Sequence, residues 1–331
     1  MPQKDFQDIF QSYFHNKYSF DDFLNTKLLE NYNFKSSYYK EHLVMSYIKN
    51  DITHQLEPAS LKLKEFHTFL NNVLFKYMRV NKNVYSYRQN RNIFDAVSCH
   101  RSNTNYFKTD IKNFFININK EIVLKYLTTN VNQYPMTRTI ENYLVNIIDL
   151  VVYNNHLPVG FVASPSISNA VLYDFDNLIE DYCKKYDIVY SRYSDDLIFS
   201  STDYRILKDL EKVIIKFLED LYGSAFMLNK DKTEFLDKTN KVVLLGLVIK
   251  PDGHITVGKN LKENIKQLLY FYLHDKNKFK QFLELRYDNN IVKAYGSLNY
   301  INDIDKNFVS KLRKKYGNYI IDKFLHGNKR I

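Results

Sequence analysis

The chain has no tryptophan and only two cysteines, Cys99 and Cys183, among its 331 residues. Two thiols so placed give neither a disulfide framework nor a zinc spacing, and they read as reduced side chains of a cytoplasmic protein. Long apolar runs are missing too. The longest, Val242–Ile249, falls far short of the roughly 20 residues a membrane span requires, and it reads as one buried strand. The opening stretch, MPQKDFQDIF, has no apolar signal core. No internal repeat and no long flexible linker interrupts the chain. On these absences the chain is not expected to be a disulfide-stapled scaffold, to cross a membrane as an apolar helix or to be a repeat array.

Apolar residues make up 45% and charged residues 25%, which suits a globular chain with a large core and two or three subdomains. Forty-seven Lys and Arg against 37 Asp and Glu leave a net charge of +10. With 16% aromatics, that balance fits a polyanionic partner, nucleic acid above all.

Residues 1–80 read as mostly helical. Leu61, Leu63, Phe66, Leu70, Val73, Leu74 and Tyr77 form one apolar helical face, with Pro58 and Ser60 as start signals. Tyr106–Thr109 reads as a strand ending at Asp110, and Asn119 as the cap of a helix over Lys120–Leu127. Ser164 as N-cap and Pro165 at the first helical position predict a long helix with the face Ile167, Val171, Phe175, Leu178 and Tyr182. A hairpin of Ile188–Tyr193 and Leu197–Ser200 follows, then an amphipathic helix. The Val242–Ile249 strand turns at Pro251-Asp252-Gly253 into His254–Val257. The tail, 258–331, reads as helical and basic, with Lys311, Arg313, Lys314 and Lys315 clustered. This order is α+β, an antiparallel sheet with helices on one face.

The chemistry centres on Tyr193-Ser194-Asp195-Asp196. Adjacent carboxylates at a hairpin tip repel, and divalent cations resolve that conflict. Asp110 and Asp195 on neighbouring strands would bridge two Mg²⁺ ions, with Asp196 a weaker ligand and Mn²⁺ an alternative ion. Leu157-Pro158-Val159-Gly160 precedes Ser164-Pro165, and Gly160 lets the backbone approach a base. Phe115 is placed to stack under a sugar. Lys232 is a candidate proton donor to pyrophosphate. Arg88 and Arg91, interleaved with Tyr85 and Tyr87, are candidate phosphate contacts.

These blocks resemble the prokaryotic reverse transcriptases, the retron-type branch in particular. Tyr87–Ile93, Asp110–Phe115, Leu157–Pro165, Arg192–Leu197, Leu228–Thr233 and Leu245–Val248 occur in that family's order, and Gly296–Gly317 resembles its thumb. The resemblance implies a right-hand polymerase with fingers, palm and thumb, here 1–104, 105–257 and 258–331. It implies Mg²⁺ at Asp110, Ile111, Asp195 and Asp196, and deoxynucleoside triphosphates beside Phe115, Val159, Gly160, Arg88 and Arg91. Nucleic acid would meet Tyr193, Ser164, Pro165, Gly246 and the basic tail. The implied partners are a structured non-coding RNA and nascent DNA, with an effector protein or a second copy as further candidates, in a setting of antiphage defence.

Some positions depart from the family pattern. Val159 stands for its usual Gln, His100 falls one place late in a block that opens at Asp95, and Leu244-Leu245-Gly246 replaces VTG. The fingers hairpin is short, around Lys49–Pro58. Three readings therefore stand side by side. One is an RNA-templated DNA polymerase, the second a protein-primed or template-independent DNA synthase, and the third a silent RNA-binding scaffold.

Overall fold

The computed structural model describes residues 5–20, 22, 45–49, 52–56, 61–133 and 137–327. The backbone groups into two units. One comprises Met1–Arg91, Thr109–Leu197 and Lys208–Thr233, and the other Asn92–Lys108, Ile198–Leu207 and Glu234–Ile331. Among the described residues no helix is long and apolar enough to cross a membrane.

In the first unit, the helix Phe6–Tyr13 lays Phe6 and Phe10 against Phe69 and Phe20 with ring centroids 5.4–5.8 Å apart. The region is not wholly helical, because Met45–Lys49 (β1) and Ile52–Leu56 (β2) form an antiparallel hairpin with Tyr47 opposite His54. Pro58 and Ser60 lie outside the described residues. The predicted helix spans Leu61–Val73 and buries Leu63, Phe66, Phe69 and Leu70. Its periodicity stops there. A tight turn at Phe75–Tyr77 rotates the chain, so Phe75 is buried and Tyr77 is exposed.

Asn119 caps the helix Lys120–Thr129 by accepting the Ile122 N–H at 2.9 Å, as expected. Ser164 does not cap the next helix. Ala163 is the N-cap, and Ser164 is already helical. The Ser164 hydroxyl instead donates to the Pro158 carbonyl at 2.6 Å, closing the loop that precedes it. This helix ends at Val171, and a second runs Tyr173–Lys185. Beyond the break at Leu172, Phe175 is buried as expected, but Ile179 and Cys183 are buried as well, while the expected Leu178 is exposed.

The palm-type sheet has the hydrogen-bonded order β4-β5-β3-β6, with β3 Asn105–Asp110, β4 Val189–Tyr193, β5 Asp196–Ser201 and β6 Glu234–Asp237. β3 and β6 are antiparallel, with Phe107 opposite Phe235.

In the second unit, Val242–Ile249 is not one strand. It is a hairpin of Val242–Leu244 (β7) and Leu247–Ile249 (β8), and Ile255–Val257 (β9) completes a three-stranded antiparallel sheet. Leu245 and Gly246 both have positive φ, 50° and 79°, the conformation of a two-residue hairpin turn. An apolar run conceals such a turn because only Gly246 signals it. Among the described residues five helices follow, Lys259–His274, Lys276–Tyr287, Ile291–Ile304, Lys306–Tyr316 and Asn318–His326. Leu268, Leu298, Leu312 and Phe324 join Leu244, Leu247 and Val257 in one buried cluster. Asp305, buried at the start of the fourth helix, accepts from Thr256 at 2.5 Å and from Lys262 at 2.7 Å.

Candidate active site

β3 delivers Asp110 at its last residue, and the β4–β5 hairpin presents Asp195 at its tip. The tip turns sharply because Ser194 is left-handed, with φ 59°. The Ile111 N–H donates to the Asp195 carbonyl at 3.1 Å, which fixes the register between the two carboxylate-bearing segments. On the other side, the Asn229 N–H donates to the Asp110 carbonyl at 2.9 Å. Thr109 and Thr233 share a hydroxyl hydrogen bond at 2.7 Å. The segment carrying Lys232 is thereby anchored, and Lys232 Nζ donates to Asp110 Oδ2 at 2.9 Å. Asp110, Ile111, Asp195 and Lys232 thus converge, although 122 residues separate Asp110 from Lys232.

The electrostatics of this cluster are unbalanced. Asp110 is 3% exposed, yet its Oδ1 has no hydrogen-bond partner. Burial raises the Asp195 carboxyl above the usual range, and the neighbouring Asp110 charge raises it further. The Lys232 ammonium is held above its ordinary value, first by its hydrogen bond to Asp110 and also by the charges of Asp110, Asp195 and Asp196.

Among the described residues, no group of three or more His, Cys, Asp or Glu side chains forms a ready-made metal cage. Mg²⁺ does not require one, because it takes one or two carboxylates and completes its shell with waters and substrate phosphates. A buried carboxylate oxygen with no partner, a second carboxyl raised by burial and then by the Asp110 charge, and a cation already accepted at the same group fit such an ion.

The remaining sequence candidates separate into groups. Gly160 has φ 106°, the conformation that favours glycine, and Val159 beside it is exposed. The Leu157 N–H donates to the Phe115 carbonyl at 3.3 Å, so this loop is tied to the segment after Asp110. Phe115 itself packs against Phe114 at 5.4 Å. Pro165 is half-buried in the first turn of its helix. Arg88 Nη1 donates to the carbonyls of Asn81 and Val84, both at 3.0 Å, and so braces its own loop. The Arg91 guanidinium sits over the Tyr85 ring at 5.2 Å. Tyr193 is half-buried, and burial raises its phenol. In the second unit, Gly246 is exposed at the β7–β8 turn. Lys311, Lys314 and Lys315 are exposed there too, while Arg313 pairs with Asp322 at 2.7 Å.

Sequence reasoning missed a buried polar network behind the tip. Arg192, fully buried, makes a two-pronged ion pair with Asp176, from Nε at 2.8 Å and from Nη2 at 2.7 Å. Burial opposes the guanidinium charge, but the Asp176 carboxylate outweighs it and holds Arg192 above its ordinary value. Asn169 and Ser86 complete the network. An arginine inside a strand that is otherwise uncharged was the available signal.

The chain matches the family model described as reverse transcriptase (RNA-dependent DNA polymerase) over residues 50–249, more than half its length. It is 26% identical to the retron Ec83 reverse transcriptase of Escherichia coli, over 77% of this chain and 80% of that protein. It is 28% identical to the retron Ec73 reverse transcriptase of the same organism, over 78% and 81%. A telomerase from Candida albicans, solved with a TWJ fragment of telomeric RNA, aligns with TM-score 0.44 and 14% identity over 80% of this chain. A foamy viral protease-reverse transcriptase solved with double-stranded DNA aligns with TM-score 0.41 and 16% identity over 86% of it. The chain spans about half the length of these solved proteins, 50% and 43%. On the family match and the retron relatives, the chain belongs to the reverse transcriptase family, as an RNA-directed DNA polymerase of the retron type.

Proposed function

We propose that this polymerase works by two-metal nucleotidyl transfer at Asp110 and Asp195, copying a structured non-coding RNA with which it is associated in the cytoplasm. The buried, partnerless Oδ1 of Asp110 beside the strained Asp195 carries this reading. Asp110 and Asp195, with the Ile111 carbonyl and Asp196, would hold the ions. When bound, a Mg²⁺ pair supplies the positive charge that activates a primer hydroxyl and stabilises departing pyrophosphate.

The chain's own residues do the rest. Lys232 Nζ, which donates to Asp110, would give its proton to the leaving pyrophosphate. Phe115 would pack under the incoming sugar and disfavour a 2′-hydroxyl. The loop Leu157–Ser164, drawn tight by the Ser164 hydroxyl on Pro158, would shape the nascent base pair through Gly160. Residues 258–331 serve as the thumb, and Lys311, Lys314 and Lys315 meet the duplex backbone through phosphates. A role in antiphage defence follows from the retron resemblance and belongs to the same proposal.

The test is to purify the protein from its native host and sequence the nucleic acid that accompanies it, alongside Asp195→Asn. The expected result is one discrete RNA with complementary DNA, the DNA absent from the variant. Repetitive DNA covalently attached to the protein would replace this reading with a protein-primed synthase. RNA without DNA in both samples, and no extension of an added primer, would replace it with a scaffold.

A further inference from the structure

Ser194 is the hinge on which Asp195 turns, and buried side chains hold both of its peptide groups. Its N–H donates to Ser86 Oγ at 2.8 Å. Its carbonyl accepts from Arg192 Nη1 at 3.0 Å. The other N–H groups of that guanidinium reach Asp176 Oδ1 and Oδ2, the Asn169 carbonyl at 3.0 Å and Asn169 Oδ1 at 3.4 Å. The five donors of the rigid fork are thus all committed. Asn169 closes the circuit, accepting from Ser86 Oγ at 3.1 Å and donating to the Ser86 carbonyl at 2.7 Å. Tyr190 adds a hydrogen bond to Asp176 at 2.7 Å.

Stability alone does not account for this arrangement. A buried ion pair loses hydration that its attraction roughly repays, and apolar replacements often fold as well. What apolar residues cannot supply is direction. The fork has one orientation that satisfies Asp176, Asn169 and Ser194 together, and that orientation holds a left-handed serine immediately before Asp195. Carboxylates used in catalysis need placement to within about half an ångström, secured by side chains themselves locked in place.

We propose that Arg192, with Asp176, Asn169 and Ser86, is the positioning device that holds the Ser194 turn and thereby aims Asp195 for nucleotidyl transfer. None of the four touches substrate in this scheme. They act through the turn. The proposal rests on the reading of Asp195 as a catalytic carboxylate.

Two variants test it in the full-length protein, with steady-state extension of an RNA-templated DNA primer. Ser86→Ala removes the acceptor for the Ser194 N–H and leaves the ion pair. Arg192→Lys keeps the charge beside Asp176 but cannot make the fork. Both should lower kcat by about tenfold or more, while KM for the deoxynucleotide and RNA affinity stay within about twofold. Thermal unfolding should show both folded at the assay temperature. The double variant should lose less than the product of the single losses, because both release one turn. An unchanged kcat in either folded variant, or a loss carried by a raised KM and weakened RNA affinity rather than by kcat, would overturn the proposal. If Arg192→Lys does not fold, Ser86→Ala decides alone. Asp195→Asn is run in parallel. If it retains synthesis, the assignment of the catalytic site fails and the positioning role with it. If it is inactive while Ser86→Ala is fully active, only the positioning role fails.

Discussion

Asp195→Asn should make this protein more stable and inactive at once. Burial and the Asp110 charge both raise the Asp195 carboxyl, so its ionised form is the strained one. Asp110 Oδ1, buried without a partner, marks the same imbalance. Asparagine keeps the shape of the side chain and removes its charge. Relief of such strain at an active site is worth about 1–2 kcal/mol. At roughly 2 °C per kcal/mol for a chain of this size, Tm in chelator rises by about 2–4 °C. Synthesis falls on the order of 10³-fold, because the ions that stabilise the developing negative charge lose one of the carboxylates that would hold them. RNA affinity changes by less than about twofold, since phosphate contacts dominate it. Scanning calorimetry in chelator and in Mg²⁺, with primer extension and an RNA-binding titration, measures all three. Mg²⁺ should raise Tm more in the wild type than in the variant. A variant that melts lower than wild type in chelator and loses RNA affinity would refute the reasoning, because it would make Asp195 a structural carboxylate.

Other predictions concern separate groups. Lys232→Ala should lower kcat on the order of 10²-fold with RNA affinity retained, as loss of a proton donor does, and an unchanged single-turnover rate would remove Lys232 from the chemistry. Burial lowers His67 to about 4 and His100 to about 3, against an ordinary value of 6.5. Both are neutral when folded and gain a proton on unfolding, so stability is full above pH 6.5 and declines as pH falls from there toward the folded values. At pH 5 each contributes a loss of about 2 kcal/mol, and a flat urea-unfolding free energy between pH 7 and 5 would contradict the assignment. Replacing Lys311, Lys314 and Lys315 with Gln should reduce the slope of log affinity against log salt by about 2–3. An unchanged slope would place the RNA phosphates elsewhere.

Features set by neighbouring residues were legible in the sequence. Asp110 at a strand end, the acidic hairpin tip, the Asn119 cap and the helical, basic tail all follow from local patterning, and the structure shows each. The ordered motif blocks were legible for the same reason, since each is a short run whose residue types meet one local chemical need. Errors arose where one backbone conformation overrides a pattern. The turn at Leu245-Gly246 sits inside an apolar run and splits a strand. The break at Leu172 divides one expected helix into two, and no proline or glycine announces it.

Tertiary structure decided what lies beside what. Lys232 is legible in the sequence as a candidate proton donor, but only the chain's path shows that it meets Asp110. Arg192 and Asp176 are 16 residues apart, on a strand and a helix, and only packing makes them a buried pair. The sequence by itself determined which groups are available for metal-assisted transfer, because residue type sets charge and donor chemistry. Only the tertiary structure decided which of them share a site, because a buried charge is tolerated only where the fold supplies its partner.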